Sequence, residues 1–221
     1  MKKTLLFLVV ILFSSVTVNA QLTEGHVKYE MTVTSDNPAM EMAIAMMDGA
    51  TMEIYFKGES TLVKVNMGMA MNMTTTTNSK SGEVLIKMGG MMGNKAIRST
   101  LDEMKDQQPE ESMESDVSLM NETKDIQGFK CKKAIFKDKD GNEAIFWYTE
   151  EITVSKLGQN YLNKDIPGFP LEFEMNQKDM KMAMKAILLE KSINNASELF
   201  SMKIPAGYQE ISMKDMNGLG M

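Results

Sequence analysis

The sequence predicts a mainly β protein: a curved antiparallel sheet or incomplete barrel of about ten or eleven strands, with one helix lying over it. Three observations predict it. Short segments of alternating apolar and polar residues succeed one another, punctuated by Gly58-Glu59-Ser60, Lys80-Ser81-Gly82 and Gly89-Gly90. Only one segment of any length, after Asn37-Pro38, carries helix signals instead. Cys131 is the sole cysteine of 221 residues, so an apolar core and not an intrachain disulfide framework must hold the chain together.

The chain opens with a leader. Lys2 and Lys3 precede the apolar run Leu5 to Phe13, and Val18-Asn19-Ala20 places small residues where a signal peptidase reads them. The run is about nine residues against the ~20 needed to span a bilayer, which predicts cleavage after Ala20 and no transmembrane anchor. Gln21, not a cysteine, follows the cut, which argues against a lipid anchor. Residues 21 to 221 are expected to form a single domain, exported and most simply placed in the periplasm of a Gram-negative cell.

Residues 26 to 34, HVKYEMTVT, alternate as a strand. Asn37 can cap and Pro38 can occupy the first helical position of AMEMAIAMMDG, with Gly49 as a stop. The expected helix has about eleven residues and is ~16 Å long. Its only charges are Glu41 and Asp48, so it needs apolar cover on more than one side. Strand patterns resume at 51–57, 61–67, 70–78, 83–88 and 95–101, a meander with no alternating helices. Residues 102 to 116 hold seven acids and one lysine without apolar periodicity, and are expected to be a mobile acidic loop.

Strands follow at 117–123, 129–138 and 143–149. DKDGNE (138–143) resembles a calcium loop in composition, but its flanks alternate like strands, so Asp140-Gly141 is expected to turn a hairpin. Ile166-Pro167-Gly168-Phe169-Pro170 makes a stiff bend into LEFEM, and a long alternating run covers Met180 to Lys191. Ala196 to Phe200, capped by Asn195, is at most a short helix. Cys131, at strand spacing from Phe129, is expected to be a small buried hydrophobe.

Several classes of function are poorly served by this composition. Loss of Lys2 and Lys3 with the leader takes the formal charge from -6 to -8, which disfavours nucleic acid and anionic membrane surfaces as partners. Arg98 is the only arginine, so bidentate recognition of phosphate or carboxylate is confined to one place. His26 is the only histidine and lies in a strand pattern; no GxSxG, HExxH or Walker-type stretch accompanies it. One histidine and one cysteine cannot build a zinc site of those ligands. The expectation is a non-enzymatic, monomeric protein without cofactor or resident metal.

The distinctive feature is methionine, with 25 in the chain. In VNMGMAMNM (65–73) it recurs at Met67, Met69, Met71 and Met73. On a strand a period of two puts these side chains on one face with Val63 and Val65; alternatively Gly68 turns the chain and brings Met67 and Met71 together across a hairpin. A second comb, Met180, Met182 and Met184, runs on into Ala186 and Leu188, and would tile one patch with the first were the strands neighbours.

Gly128 to Ile152 (GFKCKKAIFKDKDGNEAIFWYTEEI), Ile166 to Met175 (IPGFPLEFEM) and Phe200 to Ile211 (FSMKIPAGYQEI) together resemble the exported family known as domain of unknown function 4412. The likeness covers most of the chain after the leader but is specific only in its second half. It implies a fold related to the lipoprotein carriers LolA and LolB, an incomplete barrel of roughly eleven strands with a lid helix over an apolar cavity. Ala39 to Asp48, with Met42 and Met46, becomes the candidate lid. The resemblance implies no catalytic residues, and the arginine those carriers use in gating is not carried over to Arg98.

The expected function is therefore binding or carriage of a hydrophobic ligand, a lipid or an acylated polypeptide, on an apolar face bearing Met42, Met46, Met67, Met69, Met71, Met73, Met182 and Met184. Methionine suits this because it is unbranched and polarizable and adapts to irregular apolar partners. Two alternatives stand beside it. One is copper(I) held by Met67, Met69, Met71 and Met73, since soft sulfur selects that ion; the other is a structural envelope protein without a small ligand, where methionine merely packs a core.

Overall fold

The structure, a computed structural model, describes residues 21–69, 71–90, 93–106, 116–137, 142–155, 166–177, 179–213 and 215. The predicted leader, residues 107–115 of the acidic segment and the turn expected at Asp140-Gly141 lie outside the described residues. Within the described residues twelve strands form one sheet, open at both ends, in the order β12-β6-β5-β4-β3-β2-β1-β11-β10-β9-β8-β7. The strands are β1 (Glu24–Ser35), β2 (Thr51–Lys57), β3 (Ser60–Asn66), β4 (Met71–Asn78), β5 (Glu83–Gly90), β6 (Lys95–Thr100), β7 (Asp116–Ile126), β8 (Phe129–Lys137), β9 (Glu143–Thr149), β10 (Phe169–Gln177), β11 (Met180–Glu190) and β12 (Gln209–Glu210). Neighbours are antiparallel except β12, which runs parallel to β6.

Eleven of these strands are expected from alternation, and in β1, β2 and β8 burial alternates along the strand, with apolar side chains inward and polar ones outward; β3, β4 and β5 are buried on both faces in part of their length. Opposed residues share a face, so Val27, Ile54, Val63, Thr75, Ile86 and Ile97 form one inward row across β1 to β6. The sheet is strongly curled. Phe56 of β2 and Phe169 of β10 have ring centroids 5.8 Å apart, although the three strand spacings between them span ~14 Å when flat. Tyr29 of β1 donates its buried hydroxyl to the Pro170 carbonyl at 2.7 Å, which ties the curl from inside. Cys131 is fully buried in this core, and burial pushes its thiol up to about 12, so it is an inert hydrophobe.

The helices depart from expectation. Asn37 does cap, accepting the Ala39 N–H at 3.0 Å. The segment it opens is only a 3-10 turn at Pro38–Met40 followed by α1 (Glu41–Met46), and neither contains a buried residue. The predicted lid thus does not lie over the core; the curl of the strands covers the core instead. The first five residues of the acidic segment, with Leu101 before them, form α2 (Leu101–Asp106), not a loop. The reason is a reciprocal cap: Thr100 Oγ1 accepts the Glu103 N–H at 3.2 Å and Glu103 accepts the Thr100 N–H at 3.1 Å. Leu101 and Met104 then pack on a second, smaller core of Val84, Ile86, Met88 and Ile97.

A further described helix, α3 (Ala196–Leu199), starts at Asn195, whose backbone is left-handed at φ 56° and whose side chain makes no capping bond, contrary to expectation. It belongs to a strap that crosses the outer face. Glu24 on that face holds the Ile193 N–H at 3.1 Å, and residues 209–210 then pair with β6 on the far side. Between these points Leu62, Thr76 and Leu85, opposed to one another on the outer face, are buried.

The ladders are irregular in places. At the β1–β11 seam Lys28 opposes Leu188 but Tyr29 opposes Ala186, so Ile187 is extra. This bulge turns Leu188 to the outer face, where it is 39% exposed, and ends the second comb at Ala186. In the edge strand β7, Leu119 opposes Ala134 while Thr123 opposes Lys132, so the ladder breaks there.

Candidate functional site

Along five strands the inward face changes in the same direction, from fully buried to open. On β1, Val27 and Tyr29 are buried while Met31 and Val33 are half-buried. On β11, Ala186 and Met184 are buried, Met182 is half-buried and Met180 exposed. The same grading runs from Val63 to Val65 on β3, from Thr75 to Met73 and Met71 on β4, and from Phe173 to Met175 on β10. The registers Val33↔Met182↔Met175 and Val65↔Met73 set these residues side by side in transverse rows. The curled sheet is therefore packed solid at one end and open at the other. Its open mouth is lined by Met31, Val65, Met71, Met73, Met175 and Met182, with the residue type shifting from aromatic and β-branched to methionine.

The predicted ligand-binding residues divide accordingly. Met73 and Met182 lie in the mouth, half-buried. Met71 is beside them at the start of β4, and Met67 precedes the β3–β4 turn. Met184 is 3% exposed and packed in the main core, which removes it from the accessible surface. The first comb does not occupy one strand. Gly68 at φ 61° turns the chain, and the Met67 N–H bonds the Met71 carbonyl at 2.9 Å, so the hairpin alternative holds. Met69 projects at the turn, 77% exposed. Nor are the two combs neighbours, since β3, β2 and β1 separate β4 from β11. Sequence reasoning missed Met31 and Met175, whose relevance depends on the β1–β11–β10 register.

Met42 and Met46 lie on α1 at the rim. The Met46 carbonyl accepts the Met69 N–H at 3.3 Å, and a Cβ on Gly68 would stand 2.5 Å from that same carbonyl oxygen. Glycine at 68 is thus required twice, for its left-handed backbone and for the close approach of α1. A depression of about 480 Å³ also lies at this end, lined by Met180 together with Ser35, Asp36, Asn176, Asp179 and Lys181, so polar and apolar groups share it.

The outer face carries the main titratable cluster. His26, 6% exposed, sets Nδ1 2.9 Å from Glu190 and Nε2 3.1 Å from Glu53, with its ring stacked on Tyr55 at 4.0 Å. Tyr55 donates to the same Glu53 oxygen at 2.6 Å. Burial works against ionisation of Glu53, but the Tyr55 hydroxyl, His26 and Lys28 outweigh it and hold the carboxyl below its ordinary range. Both ring nitrogens of His26 are engaged and the ring is covered, so the cluster clamps β1, β2 and β11 together and offers no free base. Arg98 pairs with Glu210 at 3.3 Å, joining β6 to β12 on the outer side, away from the mouth. Among the described residues no three His, Cys, Asp or Glu side chains are placed to hold a metal, and no helix is long and apolar enough to cross a membrane.

No protein-family model and no curated protein matches the chain. Among solved structures it is similar to PNGF-II, with 16% identity and a TM-score of 0.51 over 89% of this chain and 33% of that one, so it spans about a third of that protein's length. It is also similar to an uncharacterized conserved protein from Thermus thermophilus, with 8% identity and a TM-score of 0.50 over 86% of this chain and 91% of that one. A LolA superfamily protein from Nitrosomonas europaea is a more distant neighbour, with 9% identity and a TM-score of 0.35 over 81% of this chain and 90% of that one. Identities this low bear on the fold alone, and the last likeness is too distant to argue from.

Proposed function

We propose that the protein is an exported binding or carrier-like protein that holds a hydrophobic ligand, a lipid or an acylated polypeptide, in the methionine-lined mouth of its curled sheet. The observation that supports this most is the grading of the inward face. A sheet that needed methionine only for packing would bury it, as Met52, Met88 and Met184 are buried. Here half-buried methionines also gather where the core opens. Flexible thioethers at such a surface accommodate acyl chains of varied shape at little cost in fit.

The test is native mass spectrometry of the protein purified from a bacterial envelope, followed by titration with oleic acid and a lysophospholipid. Co-purified lipid, or uptake that is lost in Met73→Glu and Met182→Glu while the unfolding midpoint holds, is the expected result. A clean apo mass with no uptake of either probe would overturn the proposal. Copper(I), the rival occupant of the same sulfurs, is tested by anaerobic competition against a cuprous chelator. Transfer of the ion to the protein, lost on changing Met67, Met71 and Met73 to leucine, would replace the lipid reading.

A further inference from the structure

The two most exposed methionines lie together. Among the described residues Met42 is 78% and Met69 77% exposed, whereas Met46, Met180 and, on the edge strand β7, Met120 are each 37% exposed. Met42 and Met46 lie on α1 and Met69 in the β3–β4 turn, and Gly68 with the Met69 N–H to Met46 carbonyl bond joins those two elements. Met180 opposes Ser35 at the end of β1 that leads into α1. By contrast Met52, Met88 and Met184 are all 9% exposed or less. Neither core includes a residue of α1 or of the turn. Met42 and Met69 are thus solvent-facing thioethers on two joined elements that lie outside both cores.

We propose that the junction of α1 with the β3–β4 turn is an oxidisable thioether site, where Met42 and Met69 take up oxygen from a peroxide before the methionines of the sheet core do. The reaction is a two-electron transfer. The sulfur lone pair attacks one peroxide oxygen, the S–O bond forms as the O–O bond breaks, and the departing hydroxide takes up the remaining proton as water. Sulfur is oxidised to the sulfoxide and hydrogen peroxide is reduced to water. The product is a polar, chiral side chain, which methionine sulfoxide reductases return to the thioether with one enzyme for each epimer. Solvent access sets the order, since a buried sulfur meets peroxide only when the sheet opens. The site stands independently of the proposed ligand.

The experiment is limited hydrogen peroxide treatment of the folded protein, a quench with free methionine, and peptide mapping by mass spectrometry over time. Sulfoxide at Met42 and Met69 is expected several-fold faster than at Met52, Met88 or Met184, with the thermal midpoint unchanged once both tip residues are converted. Reductase treatment should restore the original mass. In Met42→Leu/Met69→Leu the fast phase should vanish while the core methionines keep their slow rate. Core sulfoxide appearing as early as tip sulfoxide would overturn the proposal, and so would unfolding on conversion of the tip alone or a fast phase that survives in the double variant.

Discussion

The two halves of the sheet bury their inward faces by different means. From β2 through β1 and β11 to β8 the strands curl until side chains of distant strands meet, so Phe56 reaches Phe169, while across the neighbouring strands β8, β9 and β10 Phe146 sits between Phe136 and Phe173. From β3 to β6 the comparable positions hold Thr61, Thr75, Thr77 and Ser99, and the small core there is covered by α2 and by Ile211 and Met213 of the tail. A sheet that covers itself gains a large continuous core. One that borrows cover depends on a six-residue helix and its cap. The comparison teaches why a mouth exists at all: one wall is held rigidly by the curl, and the other stands opposite it on a thinner foundation.

Substitutions should expose this asymmetry. Phe169→Ala removes a ring at the meeting point of the curl and should cost ~3–5 kcal/mol in urea denaturation, enough to leave the protein marginal. Ile97→Ala, in the borrowed core, should cost about 2 kcal/mol, the low end for such truncations, because α2 and the tail can settle into the space. Equal losses at the two sites would erase the distinction. Thr100→Ala, which removes half of the reciprocal cap, should cost ~1 kcal/mol. Its more telling effect should be faster hydrogen exchange in β5, β6 and α2 with β1, β10 and β11 unchanged. Met31→Leu, Met73→Leu and Met182→Leu should each cost under ~1 kcal/mol, being near-isosteric changes at half-buried positions, and should leave lipid uptake intact.

The smallest effect concerns pH. The folded carboxyl of Glu53 lies below its ordinary value of 4.5, so its stabilising contribution is present above that pH and is lost as pH falls through the lower folded value. Glu53→Gln should therefore flatten the acid limb of the stability profile below pH 4.5. An unchanged acid limb would mean that the clamp on the curled half does not draw on this charge.

Much of the fold was legible because strand burial writes a period of two, as in β1, β2 and β8. β12 was not, being two residues long and recognisable only by what it pairs with. The signal for α2 was present as Thr100-x-x-Glu103, but the acids around it dominated the reading of that segment. At Gly68 the sequence allowed either a strand or a turn, and the close approach of the Met46 carbonyl, invisible locally, decides for the turn. The bulge that turns Leu188 outward has no local signature either. Of the methionine combs, Met73 and Met182 lie on the half-buried inward face, whereas Met31 and Met175 come beside them through a register that joins distant segments. Likewise His26 was visible as the sole histidine, whereas its partners lie 27 and 164 positions away.

That seam between β1 and β11 also sets a schedule. β1 lies in the interior of the sheet, and one of its two edges pairs with β2, which follows soon after it in the chain. Its other edge waits for a partner that ends at Glu190. The β2–β6 meander and the β7–β9 hairpins join neighbours in sequence and can form as they emerge, but the curl cannot close until nearly the whole chain is present. Loop closure of that length places the slow step of folding late. Until then the apolar side of β1 and the unpaired edge beside it are exposed together, so the interval between delivery of β1 and delivery of β11 is when this chain is most open to misassociation.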